Sequence, residues 1–118
     1  MSIDLKLAFE EIKDLVLQGK ALEAFEKYYA DEVVMQENEN PPTVGKDANR
    51  QREQEFFSKL VEFRGAEVKS VAFGEDVILS EWWLDYTHQD WGNRSYHQVS
   101  VQRWKDDQVV HERFYYGS

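Results

Sequence analysis

The passage from Tyr28 to Arg50 most restricts the folds open to this chain. A helical repeat ends in Tyr28-Tyr29, and Asp31 is expected to stop it. Val33-Val34-Met35-Gln36-Glu37 then alternates as a short half-buried strand. Val33, Met35 and Glu37 share one face and Val34, Gln36 and Asn38 the other, because strand side chains point alternately to opposite sides. Next, Asn38-Glu39-Asn40-Pro41-Pro42 cannot continue a helix or a central strand, since its prolines lack donors and fix φ; a rim loop is expected. Gly45-Lys46-Asp47-Ala48 opens another helix. Everything beyond that helix alternates as strand, so the helix must fold back over a sheet.

Two helices precede this passage. Leu5, Ala8, Ile12, Leu15 and Val16 recur at helical spacing, and Gly19 stands where a left-handed cap would end the run, which predicts a helix over about 3–18. Leu22, Phe25 and Tyr28 or Tyr29 repeat the step over a shorter second helix. The third is expected from about Asp47 to Glu62, with Phe56, Phe57, Leu60 and Val61 as its apolar half. Stepping that stripe backwards reaches Glu53 and Asn49, which puts polar groups on the inward face near an opening; the alternative is a solvated turn from Arg50 to Glu55.

Turns set the register of the remaining strands. Centring a two-residue turn on Gly92-Asn93 sets His88 opposite His97, Tyr86 opposite Val99, Leu84 opposite Val101 and Trp82 opposite Arg103. The other face of that hairpin collects Thr87, Asp85, Gln98, Ser100 and Gln102, with Trp83 and Trp104 among them. A second turn on Asp106-Asp107 sets Val110, Glu112, Phe114 and Tyr116 against Arg103, Val101, Val99 and His97. The inner, mostly apolar face then holds His88, His97, Glu112, Arg103 and the hydroxyls of Tyr86 and Tyr116. Residues 63–73 form a further strand; a three-residue turn at Gly74-Glu75-Asp76 adds Ala66, Val68, Ser70 and Ala72 to that face, an assignment that one bulge reverses.

With 118 residues the chain reads as one domain spanning 1–118. Its 14 Lys+Arg against 23 Asp+Glu give a net charge of -9, which repels phosphate backbones and anionic headgroups, so neither nucleic acid nor membrane is an expected partner. The absence of cysteine removes disulfides, thiolate nucleophiles and sulfur metal sites. Asp4, Lys6 and Glu10 interrupt any signal-type apolar core, and no apolar run approaches the roughly 20 residues that span a bilayer; a cytoplasmic protein is expected. His111 falls on the opposite face from His88 and His97, so no metal site is expected. No phosphate loop or nucleotide fingerprint occurs, and no cofactor is expected.

Helix, helix, strand, helix and four long strands is the element order of the cone-shaped nuclear transport factor 2-like (cystatin-like) fold. The run Tyr29-Ala30-Asp31-Glu32-Val33-Val34-Met35-Gln36-Glu37 resembles its ketosteroid isomerase and SnoaL-like polyketide cyclase branch. The resemblance implies an α+β cone, with three helices from the N-terminal half packed on the concave face of a bent antiparallel sheet. It also implies a homodimer formed through the convex face, where Trp83, Trp104 and Tyr115 offer apolar anchors. Matched through Tyr29-Ala30-Asp31, the general-base aspartate of the ketosteroid isomerases falls on Glu37. Matched through Val101-Gln102-Arg103-Trp104, their hydrogen-bond-donating aspartate falls on His97. Their oxyanion tyrosine falls on Ile12, which cannot donate, and the SnoaL-like group is the closer comparison.

A carboxylate or imidazole on a helix-covered apolar sheet is costly to bury unpaired, and desolvation moves its pKa toward neutrality. Glu37 is therefore a candidate general base, with His97 and Tyr116 donating hydrogen bonds to an oxygen that gains charge. Trp82, Tyr86, Phe114 and Phe56 are candidate walls, joined by His88, Glu112, Glu53 and Asn49 as polar contacts to a ligand. The expectation is a pocket for a small apolar or aromatic molecule, and an isomerase or cyclase that removes a proton beside a carbonyl. The alternative is a non-catalytic ligand-binding or dimerisation module of the same fold. Each group also has a plainer role: Glu37 solvated beside its loop, a core histidine bonded to a tyrosine hydroxyl, the aromatics as core and interface. For Glu112, pairing with Arg103 ranks above catalysis.

Overall fold

The computed structural model describes residues 4–117. Helix α1 (Leu5–Leu17) begins at Asp4, whose carboxylate accepts from the Lys6 amide at 2.9 Å and so satisfies one of the donors that a helix start leaves open. It ends at Gly19, φ 77°, where the Lys20 amide reaches the Leu15 oxygen and the Gly19 amide reaches that of Val16. Glycine adopts this left-handed closure without steric cost. A Cβ at Gly19 would meet nothing within 4 Å, so Gly19→Ala isolates backbone strain. It is expected to cost about 1 kcal/mol, read as a lower urea midpoint with an unchanged m value.

Helix α2 (Ala21–Tyr28) runs directly into strand β1 (Tyr29–Glu37). Asp31 is therefore an exposed strand residue and not the helix stop expected; pairing of Tyr29 with Val109 draws the backbone into the sheet earlier. Residues 39–42 are exposed, and β2 (Thr43–Val44) pairs back on Val34 and Met35. Helix α3 spans Lys46–Ser58 and β3 spans Leu60–Phe73. The expected last turn of α3 is thus the start of β3, because Leu60 already pairs with His88. With β4 (Val77–His88), β5 (Gly92–Lys105) and β6 (Gln108–Tyr116), the sheet has the order β2-β1-β6-β5-β4-β3. It is mixed, not wholly antiparallel as expected: β1 runs parallel to β6, an arrangement open to strands joined by a long crossover.

The helices lie over one face of this curved sheet. Phe9 and Ile12 of α1 and Phe25 and Tyr28 of α2 pack with Val33, Met35, Ile78, Trp82, Trp104 and Val109. Aromatic edges join the layers, Phe9 to Phe73 and Trp82, and Tyr28 to Trp104. No helix among the described residues is long and apolar enough to cross a membrane.

One strand is turned over relative to expectation. His88 pairs with Gly92, Tyr86 with Arg94, Leu84 with Tyr96 and Trp82 with Gln98. The turn comprises residues 89–91, and Gly92, φ 73°, closes it as a left-handed residue instead of forming its centre. Because the slip is by an odd number of residues, all of β5 inverts. Tyr96, Gln98, Ser100, Gln102 and Trp104 face the helices; His97, Val99, Val101 and Arg103 face away. The turn at Asp106 and Asp107 forms as expected, with both residues at positive φ. A bulge between Arg103 and Trp104 then shifts the register again and leaves Glu112, Phe114 and Tyr116 on the inner face. In β3 a bulge between Val68 and Ser70 keeps Ala66 and Val68 inward, opposite Leu84 and Trp82, and turns Ser70 and Ala72 outward.

Candidate functional site

Beyond the packed core the inner face opens into a cavity of about 740 Å³, a size suited to small-molecule ligands. The sheet contributes Tyr86, His88, Tyr96, Gln98, Phe114 and Tyr116, and α3 covers them with Arg52, Glu53, Phe56 and Phe57. A second cavity of about 170 Å³ shares Glu53, Leu84, Gln98 and Phe114 with the first and reaches Trp82 and Glu112.

Glu53 arrives at the cavity by the helical step read from the sequence. Asn49, Glu53 and Phe56 follow one another at spacings of four and three, which share a helix face, and Leu60 continues the line as the first residue of β3. Asn49 is wholly buried, and the others border the large cavity. No hydrogen bond or ion pair to a described residue holds the Glu53 carboxyl. Burial pushes it up to about 7; Arg52 pulls against that shift, and the charges of Glu112 and Glu37 add to it.

Glu37 is bonded on both sides. The Tyr116 hydroxyl donates to one oxygen at 2.8 Å and Arg52 to the other at 3.1 Å, tying the end of β1 to β6 and α3 at the cavity rim. Glu37 and Tyr116 therefore meet, but as part of a charge-paired network. Burial, with the Glu37 bond second, pushes the Tyr116 hydroxyl up to about 12. Tyr96 is pushed well above the usual tyrosine range by burial and by its 2.7 Å hydrogen bond with Tyr86. These hydroxyls stay protonated at neutral pH. At the mouth, the His88 ring lies 3.9 Å from Trp91 and 5.3 Å from Phe56.

Several expected site residues stand elsewhere. His97 is exposed on the opposite face, across from Trp83, and the inversion of β5 puts Tyr96 in the cavity instead. Asn49 lines neither cavity. Its amide donates to the oxygens of Val33, Thr43 and Gly45 at 3.3, 3.0 and 2.8 Å, clamping the start of α3 onto β1 and β2. Glu112 does not pair with Arg103, which lies across from His111 on the outer face. It accepts from Tyr29, from Ser100 at 2.7 Å and from Gln102 at 3.1 Å. Burial pushes its carboxyl up against the opposing effect of those donors. Trp82 borders the smaller cavity with Glu112, its indole donating to Ser80 at 2.9 Å.

Among the cavity residues that escape the sequence reading are Arg52, Trp91, Tyr96 and Gln98. Gly92 was the available signal for the last two, since a turn closed by this glycine places even-numbered β5 residues inward. Arg52 sits in the stretch that resembles a solvated helix surface.

Three helices on a bent sheet with a cavity between α3 and the strands make the nuclear transport factor 2-like fold, shared with solved structures that superpose on this chain. Residues 10–112 match the SnoaL-like domain, and the chain belongs to that family. A Mesorhizobium loti protein provisionally named a SnoaL-like polyketide cyclase superposes with a TM-score of 0.85 at 27% identity, covering 97% of this chain and 100% of that one. A Bacillus subtilis protein provisionally named an isomerase gives 0.76 at 15% identity, covering 93% and 84%. An M. tuberculosis LEH-like epoxide hydrolase gives 0.75 at 13% identity, covering 93% and 80%. The last two likenesses show the fold alone. No functionally curated protein matches the chain.

Proposed function

We propose that the protein is a small-molecule enzyme of isomerase or cyclase type, which moves a proton at a carbon beside the carbonyl of an apolar or aromatic compound. The observation that carries this is Glu53, an unpaired carboxyl with a pKa of about 7 on the wall of a large aromatic-lined cavity. A base whose pKa lies near ambient pH is both populated and basic enough for proton transfer. Glu53 takes the C–H proton as carboxylate. The charge that gathers on the carbonyl oxygen meets the Tyr86 and Tyr96 hydroxyl pair, in which the accepting hydroxyl keeps its own proton for a ligand. Glu37 balances Arg52 and orients Tyr116 instead of acting as the base. Of the two activities in the provisional name of the M. loti relative, polyketide cyclase and carbohydrate phosphatase, the first agrees with chemistry of this class.

Exchange of the α-protons of 2-tetralone in D2O, followed by NMR, tests the proposal. The wild type should speed exchange above the buffer rate, with the rate rising as pH passes about 7 and Glu53 ionises. Binding of the ketone without faster exchange would leave a non-catalytic binding protein.

We also propose a homodimer built on the outward sheet face, where Leu79, Val99 and Tyr115 are 41%, 38% and 41% exposed and Val99 pairs with Tyr115. Trp104, expected among the anchors, is buried on the inner face and takes no part. Sedimentation at micromolar concentration should give twice the chain mass; a single-chain mass would remove the proposal.

A further inference from the structure

His88, only 3% exposed, ends β4 at the mouth of the cavity. The Asp90 amide donates to its Nδ1 at 3.2 Å. A nitrogen that accepts carries a lone pair, so the neutral ring has its proton on Nε2. That Nε2 is buried and has no partner among the described residues, a costly state for a donor. Asn49 Oδ1, His111 Nδ1 and Arg52 Nε are also without partners. Asn49 and His111 border neither cavity, and Arg52, which borders the large one, is already held through Nη1 by Glu37, whereas His88 borders it with its free nitrogen unheld by any charged group. Two rings flank the imidazole: Phe56 at 5.3 Å on α3 and, stacked at 13° on the 89–91 turn and itself 57% exposed, Trp91. It is therefore the cover most readily displaced. Around the mouth, Glu37, Glu53, Glu55 and Asp90 outnumber Arg52 and Arg94, which disfavours anionic ligands.

We infer that His88 is a specificity residue that donates its Nε2–H to an uncharged acceptor oxygen lying in the plane of the imidazole, carried by a flat ring system that rests against Phe56 once Trp91 has swung aside. The turn fixes the tautomer, and the acidic mouth rejects the corresponding carboxylates. This inference rests on the proposed use of the cavity as a small-molecule site.

The test needs binding alone. 2-Acetylnaphthalene and 2-isopropylnaphthalene are close in shape, and only the first has an acceptor oxygen. The ratio of ketone to hydrocarbon affinity should fall about five- to tenfold from the wild type to His88→Phe, the size expected for one hydrogen bond to a neutral donor. In the wild type, long-range 15N–1H correlation should place the proton on Nε2, and the ketone should move that proton resonance downfield of its position with the hydrocarbon bound. A proton on Nδ1, a resonance no further downfield with the ketone than with the hydrocarbon, or an affinity ratio unchanged in His88→Phe would each overturn the proposal. The wild-type spectra decide it even if the variant fails to fold. Loss of the 2-tetralone result alone would remove the catalytic proposal and leave this one standing.

Discussion

Glu53→Gln is expected to lower 2-tetralone exchange by about 100- to 10,000-fold, the usual contribution of a positioned general base. Ketone affinity should change far less, because glutamine keeps the size of glutamate and loses only its ability to take a proton. The same substitution should stabilise the protein at pH 8. The folded-state pKa of Glu53 is about 7 against an ordinary 4.5, so between those values the folded state binds more protons than the unfolded one. Stability from this group is therefore full below about 4.5 and is lost as pH rises to about 7. At 1.36 kcal/mol per pH unit, removing the charge should restore roughly 3 kcal/mol at pH 8 and almost nothing at pH 4. Glu112, also pushed up by burial, acts with the same sign and is present in both proteins, so their difference reads Glu53 together with its repulsion of Glu112. Urea unfolding at the two pH values reads this. A variant less stable than the wild type at both would assign Glu53 to the fold instead of the chemistry.

Asn49→Ala carries the largest expected loss of stability. Asn49 is 0% exposed, and one side-chain nitrogen serves three backbone oxygens, on β1, on β2 and in the residue before α3. Removing it takes one donor from each of these oxygens and opens a buried void, at an expected cost of about 3 kcal/mol. Exchange of the Gly45 amide, which donates to the Val33 oxygen, and of the Met35 and Thr43 amides, whose residues pair across β1 and β2, should quicken more than exchange in β4 or β5. A cost below about 1 kcal/mol would mean that the clamp is not what seats α3.

Features carried by local periodicity were legible in the sequence, and those set by one turn residue or by distant partners were not. Gly19 ends α1, and the step from Phe56 back to Glu53 finds the wall of the cavity, because helical spacing repeats over several turns. The inner face of β5 depends instead on where one turn is centred. Gly92 fits either position, and the wrong choice exchanged Tyr96 for His97. The bulge beside Trp104 then returned β6 to its expected face, so Glu112 and Tyr116 were placed correctly through compensating shifts. Partners separated by most of the chain, such as Tyr29 and Glu112, or Asn49 and the β1 backbone, leave no periodic trace. For that reason the clamp looked like a ligand contact, and the Glu112 network looked like an ion pair with Arg103.

The central claim is that an unpaired carboxyl on the cavity wall is held near neutrality by burial. Titration of the Glu53 side-chain carboxyl 13C resonance in the wild-type protein, assigned by its absence in Glu53→Gln, measures this directly. A midpoint near 7 is the expected result; a midpoint near the ordinary 4.5 would contradict the account.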